Sequence, residues 1–342
     1  AALMSTRCTV VKTEGNLNNE IGCPLSLLKM DETTEFGVIE LGANHVGEIA
    51  MLSRIALPNE SAITLIAPAH LEGFGSIENV AKAKGEIAEA LPPDGLFYVN
   101  VDDARCVAIG ERCDCGVIRF GSRGAMGETL HDGEVTIESV GFDDDGMVLD
   151  LAPVGTLRLP LRSRALATDV ALAVAVAMGR GVTEFEAPLR EACEKSARFK
   201  VVRLGELTII DDTYNANPAS MKASLEALRD WPTSGKRIAA LGAMLELGVE
   251  SKSLHRALGV DAAAAHVDAL FVRGPDADAI AEGAQAEGVA ESEVIDAHET
   301  IAARIDEAAT PGSVILCKGS RGMRMENVIK ALTDRRTANA AS

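Results

Sequence analysis

A strand-length run, Leu207 to Ile210, ends abruptly in Asp211-Asp212-Thr213-Tyr214-Asn215-Ala216-Asn217, and Pro218 opens a helical pattern directly after it. A buried strand that ends in carboxylates and amides, and hands over to a helix with proline in its first turn, is the carboxyl edge of an open α/β sheet. That edge is where such sheets bind ligands. A single Asp or Asn there is more often a cap or turn residue. Five polar side chains together argue for chemistry.

The rest of the chain repeats the alternation. Phe36 to Leu41, Ala62 to Ala67 and Leu96 to Asn100 read as buried strands, with helical patterns at about His45 to Ala56 and Ile77 to Ala90. This predicts a central, doubly wound, mostly parallel α/β sheet. From Gly116 to Leu161 short strands separated by Gly and Asp turns, such as Gly133 to Ile137 and Gly155 to Leu159, predict a small antiparallel appendage. Two helices follow, Ala165 to Gly179 and Thr183 to Lys195, the first so rich in Ala, Val and Leu that it must be packed on most sides. A boundary near Ser196 divides a central domain, 1–196, from a second Rossmann-like α/β domain, 197–342. The second has strands at Lys200 to Arg203, Leu207 to Ile210, Arg237 to Leu241, Ala269 to Val272, Glu293 to Asp296 and Ser313 to Cys317. The Ala-rich polar tail from Asp334 is expected to fray.

A length of 342 residues fits two domains, and a net charge of −18 argues against nucleic acid, whose phosphates need basic patches. No run approaches the roughly 18 apolar residues of a transmembrane helix, and no signal-peptide core opens the chain, so no membrane insertion and a cytoplasmic location are expected. Seven cysteines without a disulfide-framework spacing fit a reducing compartment. Cys113-Asp114-Cys115 is too tight for usual zinc spacing and reads as ordinary thiols.

Asp211 to Pro218, taken with Glu40-Leu41-Gly42-Ala43-Asn44-His45, Ala69-His70-Leu71-Glu72-Gly73 and Lys318-Gly319-Ser320-Arg321, resembles the Mur ligases. The resemblance implies an ATP- and Mg2+-dependent amide ligase of peptidoglycan precursor synthesis. A substrate carboxylate would attack the γ-phosphate of ATP, and an amine would then displace phosphate from the acyl phosphate. The implied partners are UDP-N-acetylmuramoyl-tripeptide and D-alanyl-D-alanine, with the chain a monomer. Asn16, Asn18 and Asn19 match the loop that contacts the nucleotide-peptide substrate, and amides both donate and accept. Glu40, at a strand end, and His70, after the next strand, would hold magnesium. Lys84 matches a lysine often carbamylated in the family, a change that makes a metal-binding carboxylate of it. Lys84, His70 and Arg198 would serve catalysis, and Arg198, with Asp212, Asn215 and Asn217, would face the nucleotide. Lys318, Ser320 and Arg321 would clamp the dipeptide at a strand-to-helix turn. Each has a plain alternative: turn amides, a structural histidine, a solvated helix lysine, a hinge arginine.

The sequence departs from the family pattern at Ser163-Arg164-Ala165-Leu166, where an adenine-contacting His-Asn is expected, and at Ala243 in Gly242-Ala243-Met244. It contains no Gly-x-x-x-x-Gly-Lys-[Ser/Thr] phosphate loop. Ala1 to Arg7 reads as a helix end, so the expectation is that this loop and a UDP-binding domain precede it and that the chain alone is inactive. Two other readings stay open: a non-catalytic homologue acting as a binding module, and a ligase of folylpolyglutamate or cyanophycin type.

Overall fold

Strands form where β-branched and aromatic residues cluster, and helices where Ala, Leu and Glu recur at helical spacing. The computed structural model describes residues 1–195 and 199–340. In chain order the first elements are β1 (Val10–Lys12), α1 (Gly22–Leu27), β2 (Phe36–Val38), α2 (Glu48–Ala56), β3 (Glu60–Ile63), α3 (Leu71–Phe74), α4 (Ile77–Glu89), β4 (Leu96–Asn100), α5 (Ala104–Gly110) and β5 (Gly116–Ser122). They continue with α6 (Arg123–Met126), β6 (Val135–Asp143), β7 (Gly146–Ala152), β8 (Gly155–Leu159), α7 (Leu166–Met178) and α8 (Glu186–Glu194). Then follow β9 (Lys200–Leu204), β10 (Leu207–Asp212), α9 (Pro218–Asp230), β11 (Arg237–Gly242), α10 (Ser251–Ala264) and β12 (Ala269–Arg273). The last are α11 (Ala277–Ala286), β13 (Glu291–Val294), α12 (His298–Ala308), β14 (Val314–Lys318) and α13 (Glu326–Ala340). The chain divides into two compact units, Ala1–Ala67 with Gly73–Lys195, and Pro68–Glu72 with Ser196–Ser342.

In the first unit β1 and β2 pair in parallel as a separate ribbon, while β3 to β8 form one six-stranded sheet in sequence order. The antiparallel appendage is the β6–β7–β8 meander. Its neighbour β5, read from its turns as part of the same appendage, instead pairs in parallel with both β4 and β6, so the meander is continuous with the parallel sheet. Helix α7 packs on β4, β5 and β6 and buries Val170, Ala171, Val174 and Ala175 in one core with Tyr98, Phe120 and Val135, which accounts for its nearly all-apolar sequence. Cys113 and Cys115, read as ordinary thiols, are joined by a disulfide, because the turn after α5 brings their Cα atoms to 5.4 Å.

The second sheet has the order β13-β12-β11-β14-β10-β9, parallel except for the edge strand β9. Period-2 alternation serves two cores. Ile210, Leu241, Val272 and Leu316 meet α9, α10 and α11 through Met221, Leu225, Leu258 and Ile280. Ile209, Ala240, Phe271 and Ile315 meet α12 and α13 through Ile301, Ile305, Val328 and Leu332. With both faces covered, these strands read as continuous apolar runs. The expected strand at Glu293 to Asp296 lies two residues earlier, since an edge strand carrying Glu291 and Glu293 has no clean apolar signal. Asp334 onward continues α13 to Ala340 rather than fraying, as its alanines favour. Among the described residues no helix is long and apolar enough to cross a membrane.

Helices α10 and α11 touch backbone to backbone. A Cβ on Gly259 would sit 2.0 Å from the Ile280 carbonyl oxygen, and one on Gly283 would sit 2.2 Å from that of Arg256. Gly259→Ala would gain about 1 kcal/mol of helix propensity. Overpacking costs about 1–3 kcal/mol, and a backbone oxygen cannot rotate away. The clash therefore wins, and thermal unfolding of Gly259→Ala is expected at a lower Tm than wild type; an equal or higher Tm would show that the helices separate freely.

Candidate active site

In the second unit β14 returns between β10 and β11, so the loops leaving their carboxyl ends surround a crevice, the position at which open α/β sheets take ligands. The loops after β10, β11 and β14, with Ala69 and His70, line a cavity of about 170 Å³; Asn215, Asn217, Glu246, Ser320 and Arg321 supply its polar groups. Its size falls below the ~300–1,000 Å³ usual for drug-sized ligands, so it suits a small polar molecule.

The walls are braced from within. Lys318, 2% exposed, donates from Nζ to Asp212 Oδ2 at 2.5 Å and to the Asn215 carbonyl at 3.0 Å. Ser224 on α9 donates to the same Asp212 oxygen at 2.7 Å. Asn217 caps α9: its Oδ1 accepts from Ser220 N at 2.9 Å, and Ser220 Oγ accepts from Asn217 N at 3.0 Å, with Pro218 in the first turn. Ser320, also buried, accepts from Leu245 N at 2.9 Å and donates to the Ala216 carbonyl at 3.3 Å. Asn215 Oδ1 accepts from Arg321 N at 3.3 Å, while the Arg321 side chain is 66% exposed and 3.1 Å from Glu326 Oε1. A Cβ on Gly319 would lie 2.8 Å from Gly242 Cα, so only glycine lets the ends of β14 and β11 approach this closely.

Asp212, Asn217, Lys318 and Ser320, read as ligands of nucleotide or dipeptide, thus spend these polar atoms on the loops that shape the cavity. Asn215 and Arg321 also line it. His70 sits in the same unit, where its Nδ1 pairs with Glu246. Both residues adopt left-handed backbone conformations, φ 51° and 64°, which non-glycine residues hold only where surrounding contacts impose them. The Glu246 carbonyl accepts from Glu72 N at 3.0 Å, a second tie between the two segments.

In the first unit parallel pairing of β1 and β2 places Thr13 and Glu40 just past adjacent carboxyl ends, and Glu40 N donates to Thr13 Oγ1 at 2.9 Å. Asn18 Nδ2 donates to Glu40 Oε1 at 2.8 Å, and its carbonyl accepts from Gly42 N at 2.8 Å. Asn19 Oδ1 accepts from Gly22 N at 2.9 Å and so caps the start of α1, its plain reading; the Asn16 carbonyl accepts from Asn18 N at 2.8 Å. Lys84 is half-buried on α4, and among the described residues no hydrogen bond or ion pair engages its Nζ. Burial pushes its ammonium below the ordinary value, and the charges of Cys106 and Glu40 push it partly back. The neighbouring Cys106 thiol is pushed up to about 12, first by burial and then by Asp103.

Among the described residues no group of three or more His, Cys, Asp and Glu side chains is gathered to hold a metal ion. Magnesium, however, is commonly held by one or two carboxylates together with substrate phosphates, and an exposed Glu40 at a strand end fits that donor set. Arg198 lies outside the described residues. The structure replaces the absent polar side chains simply: Ala165 precedes α7 without a side-chain cap, and Ala243 is fully buried beside the β12 end. Sequence reasoning missed Glu246, Ser224 and His255. Nothing local in Leu245-Glu246-Leu247-Gly248 tells which partner the Glu246 carboxylate meets.

This architecture, two α/β units with polar loops at strand carboxyl ends, matches known proteins throughout. Residues 1–177 match the Mur ligase middle domain and residues 197–321 the Mur ligase, glutamate ligase domain. The chain is 35% identical to the UDP-N-acetylmuramoyl-tripeptide--D-alanyl-D-alanine ligase of Escherichia coli, over 98% of this chain and 74% of that protein. It is 32% identical to the Bacillus subtilis ligase of the same name, over 97% and 72%. Among solved structures, MurF from Acinetobacter baumannii superposes with a TM-score of 0.86 at 30% identity, covering 97% of this chain and 72% of that one. MurF from Thermotoga maritima in complex with ADP gives 0.85 at 27%, covering 99% and 76%. The chain belongs to the Mur ligase family and is by that membership an ATP-dependent ligase.

Lys318→Met would leave the Asp212 carboxylate poorly solvated and without its cation, a loss of about 3–5 kcal/mol for breaking a buried pair from one side. Urea denaturation should show that loss, and adding Asp212→Asn should recover part of it. Strictly additive losses in the double variant would show that the pair is not coupled.

Proposed function

We propose that this protein joins D-alanyl-D-alanine to UDP-N-acetylmuramoyl-tripeptide, forming an amide at the expense of ATP. The tripeptide carboxylate attacks the γ-phosphorus and ADP departs. The dipeptide amine, having lost a proton, then attacks the acyl carbon, and inorganic phosphate leaves. Such chemistry rests on positioning and charge neutralisation.

The observation that carries the reading is the small cavity after β10, β11 and β14, where Arg321 reaches solvent beside a lining of amides and carbonyls. Arg321 is the group proposed to take the dipeptide carboxylate, since a guanidinium matches a carboxylate in two parallel hydrogen bonds. Asn215 orients the Arg321 backbone, and Lys318, Ser320, Asp212 and Asn217 act by keeping the loops in register. Asn18 fixes one Glu40 oxygen, which leaves the other for magnesium. In the second unit His70 keeps Nε2, the nitrogen that Glu246 does not engage, available to a metal ion. Magnesium, when bound, would neutralise charge on the phosphates. Lys84 is proposed to serve as its carbamate. The amine attacks carbon dioxide only when neutral, and burial favours the neutral amine. The domain assignment follows: 1–196 for the activated acid, 197–342 for the incoming dipeptide.

Phosphate release by the full-length protein should require ATP and both substrates, with a product mass equal to their sum less one water. Release that persists without the dipeptide, or turnover with L-glutamate in its place, would overturn the reading. Arg321→Ala should raise KM for the dipeptide by about tenfold or more, the loss of a hydrogen bond to a charged group, with KM for ATP unchanged. Equal effects on both would remove Arg321 from the dipeptide site.

Lys84 also makes a prediction about stability. Its folded pKa lies below the unfolded 10.5. The unfolded chain therefore binds more protons between those two values, and stability rises with pH across that window. Without bicarbonate, Lys84→Met should be more stable than wild type near neutral pH, and the difference should shrink as pH approaches 10.5. A gap independent of pH would mean that Lys84 carries no burial penalty.

A further inference from the structure

Three successive backbone amides in the loop after β11 donate to three different elements. Ala243 N reaches the Arg273 carbonyl at the end of β12 at 2.9 Å, and Leu245 N reaches Ser320 Oγ, also at 2.9 Å. Between them Met244 N reaches Nε2 of His255 on α10, again at 2.9 Å. The His255 ring is 0% exposed. Its Nδ1 lies 2.8 Å from the Ser251 carbonyl oxygen, which can only accept, so Nδ1 carries the proton and Nε2 is the acceptor.

Ser251, His255 and Asp276 are close enough to invite comparison with a hydrolytic triad, but the bonding excludes that role. Ser251 Oγ donates to Asp276 Oδ2 at 2.6 Å, and neither ring nitrogen is left to accept its proton. The ring is also out of reach of any substrate. Its remaining consequence is local: it supplies the acceptor for one amide of a loop whose next residues, Leu245, Glu246 and Leu247, form a wall of the cavity. That loop carries Glu246 at φ 64°, so its path is held by these anchors against the residue's own preference. A buried amide with no acceptor keeps the full penalty of its lost hydration, enough to displace a short loop.

We propose that His255 is a positioning residue for dipeptide binding, its neutral imidazole holding the Met244 amide and through it the Leu245–Leu247 wall. The inference rests on the cavity being the dipeptide site. Its test compares His255→Leu with His255→Gln, whose side-chain amide can both accept and donate, in the full-length protein. In the leucine variant amide hydrogen exchange at Met244 should accelerate about tenfold or more, and KM for D-alanyl-D-alanine should rise about tenfold while KM for ATP changes less than about twofold. The glutamine variant should return both quantities to within about threefold of wild type. If His255→Leu does not fold, His255→Asn, too short to span both partners, takes its place. Unchanged exchange at Met244, an equal rise in both Michaelis constants, or a glutamine variant as impaired as leucine overturns the proposal. Faster exchange without any change in dipeptide KM overturns its substrate half. Arg321→Ala, measured alongside, shows whether the cavity assignment itself is at fault, since that variant would then leave dipeptide KM unchanged as well.

Discussion

A buried ammonium organises the second unit. Lys318 and Asp212 are register partners on adjacent parallel strands, and their ion pair ties the two strand ends together while the same ammonium takes the Asn215 carbonyl. Removing two charges from water is costly, and their attraction compensates only when geometry and further hydrogen bonds are favourable. Ser224 and Asn215 supply those bonds. With the strand ends locked, the path of residues 213–217 is set. That path puts Asn215 at the Arg321 amide and Asn217 at the first turn of α9, so a single internal pair determines where the exposed groups stand.

Close backbone approach is the second constraint. Gly319 against Gly242 narrows the gap between β14 and β11, and Gly259 against Gly283 brings α10 onto α11. The second contact matters at a distance, because α10 carries His255 and so sets where the Met244 amide can find its acceptor. Packing between two helices is thereby connected to the wall of the cavity through one imidazole. Rigid elements supporting a loop in this way is the general manner in which folds present binding groups.

The first unit manages charge differently. Glu40 is exposed at a strand end with one oxygen fixed by Asn18, whereas Lys84 is half-buried with no partner among the described residues. The carboxylate stands open to solvent, and the ammonium is held with its own charge disfavoured. Both conditions arise from burial and hydrogen bonding rather than from residue type, since Lys82, two positions away on the same helix, is exposed to solvent.

Much of this protein was legible in its sequence because two periodicities are local properties. Apolar runs at strand length, alternating with helical spacing, gave both sheets, and the polar stretch after Leu207–Ile210 marked the edge where the cavity lies. The motifs around Glu40, His70, Asp212 and Lys318 indicated the family. Pairing was not legible. β5 reads like its antiparallel neighbours because strand direction depends on a partner and leaves no mark on residue type, and Cys113-Asp114-Cys115 gives no sign that its sulfurs meet. Nor could the sequence separate a side chain that touches ligand from one that braces a loop. Lys318 and Arg321 stand three residues apart in one motif, yet one is sealed beneath α9 and the other is open to water. Residue type and spacing determined which groups could do chemistry at the sheet edge; which of them face solvent was decided only by packing, because burial is set by elements distant in the chain.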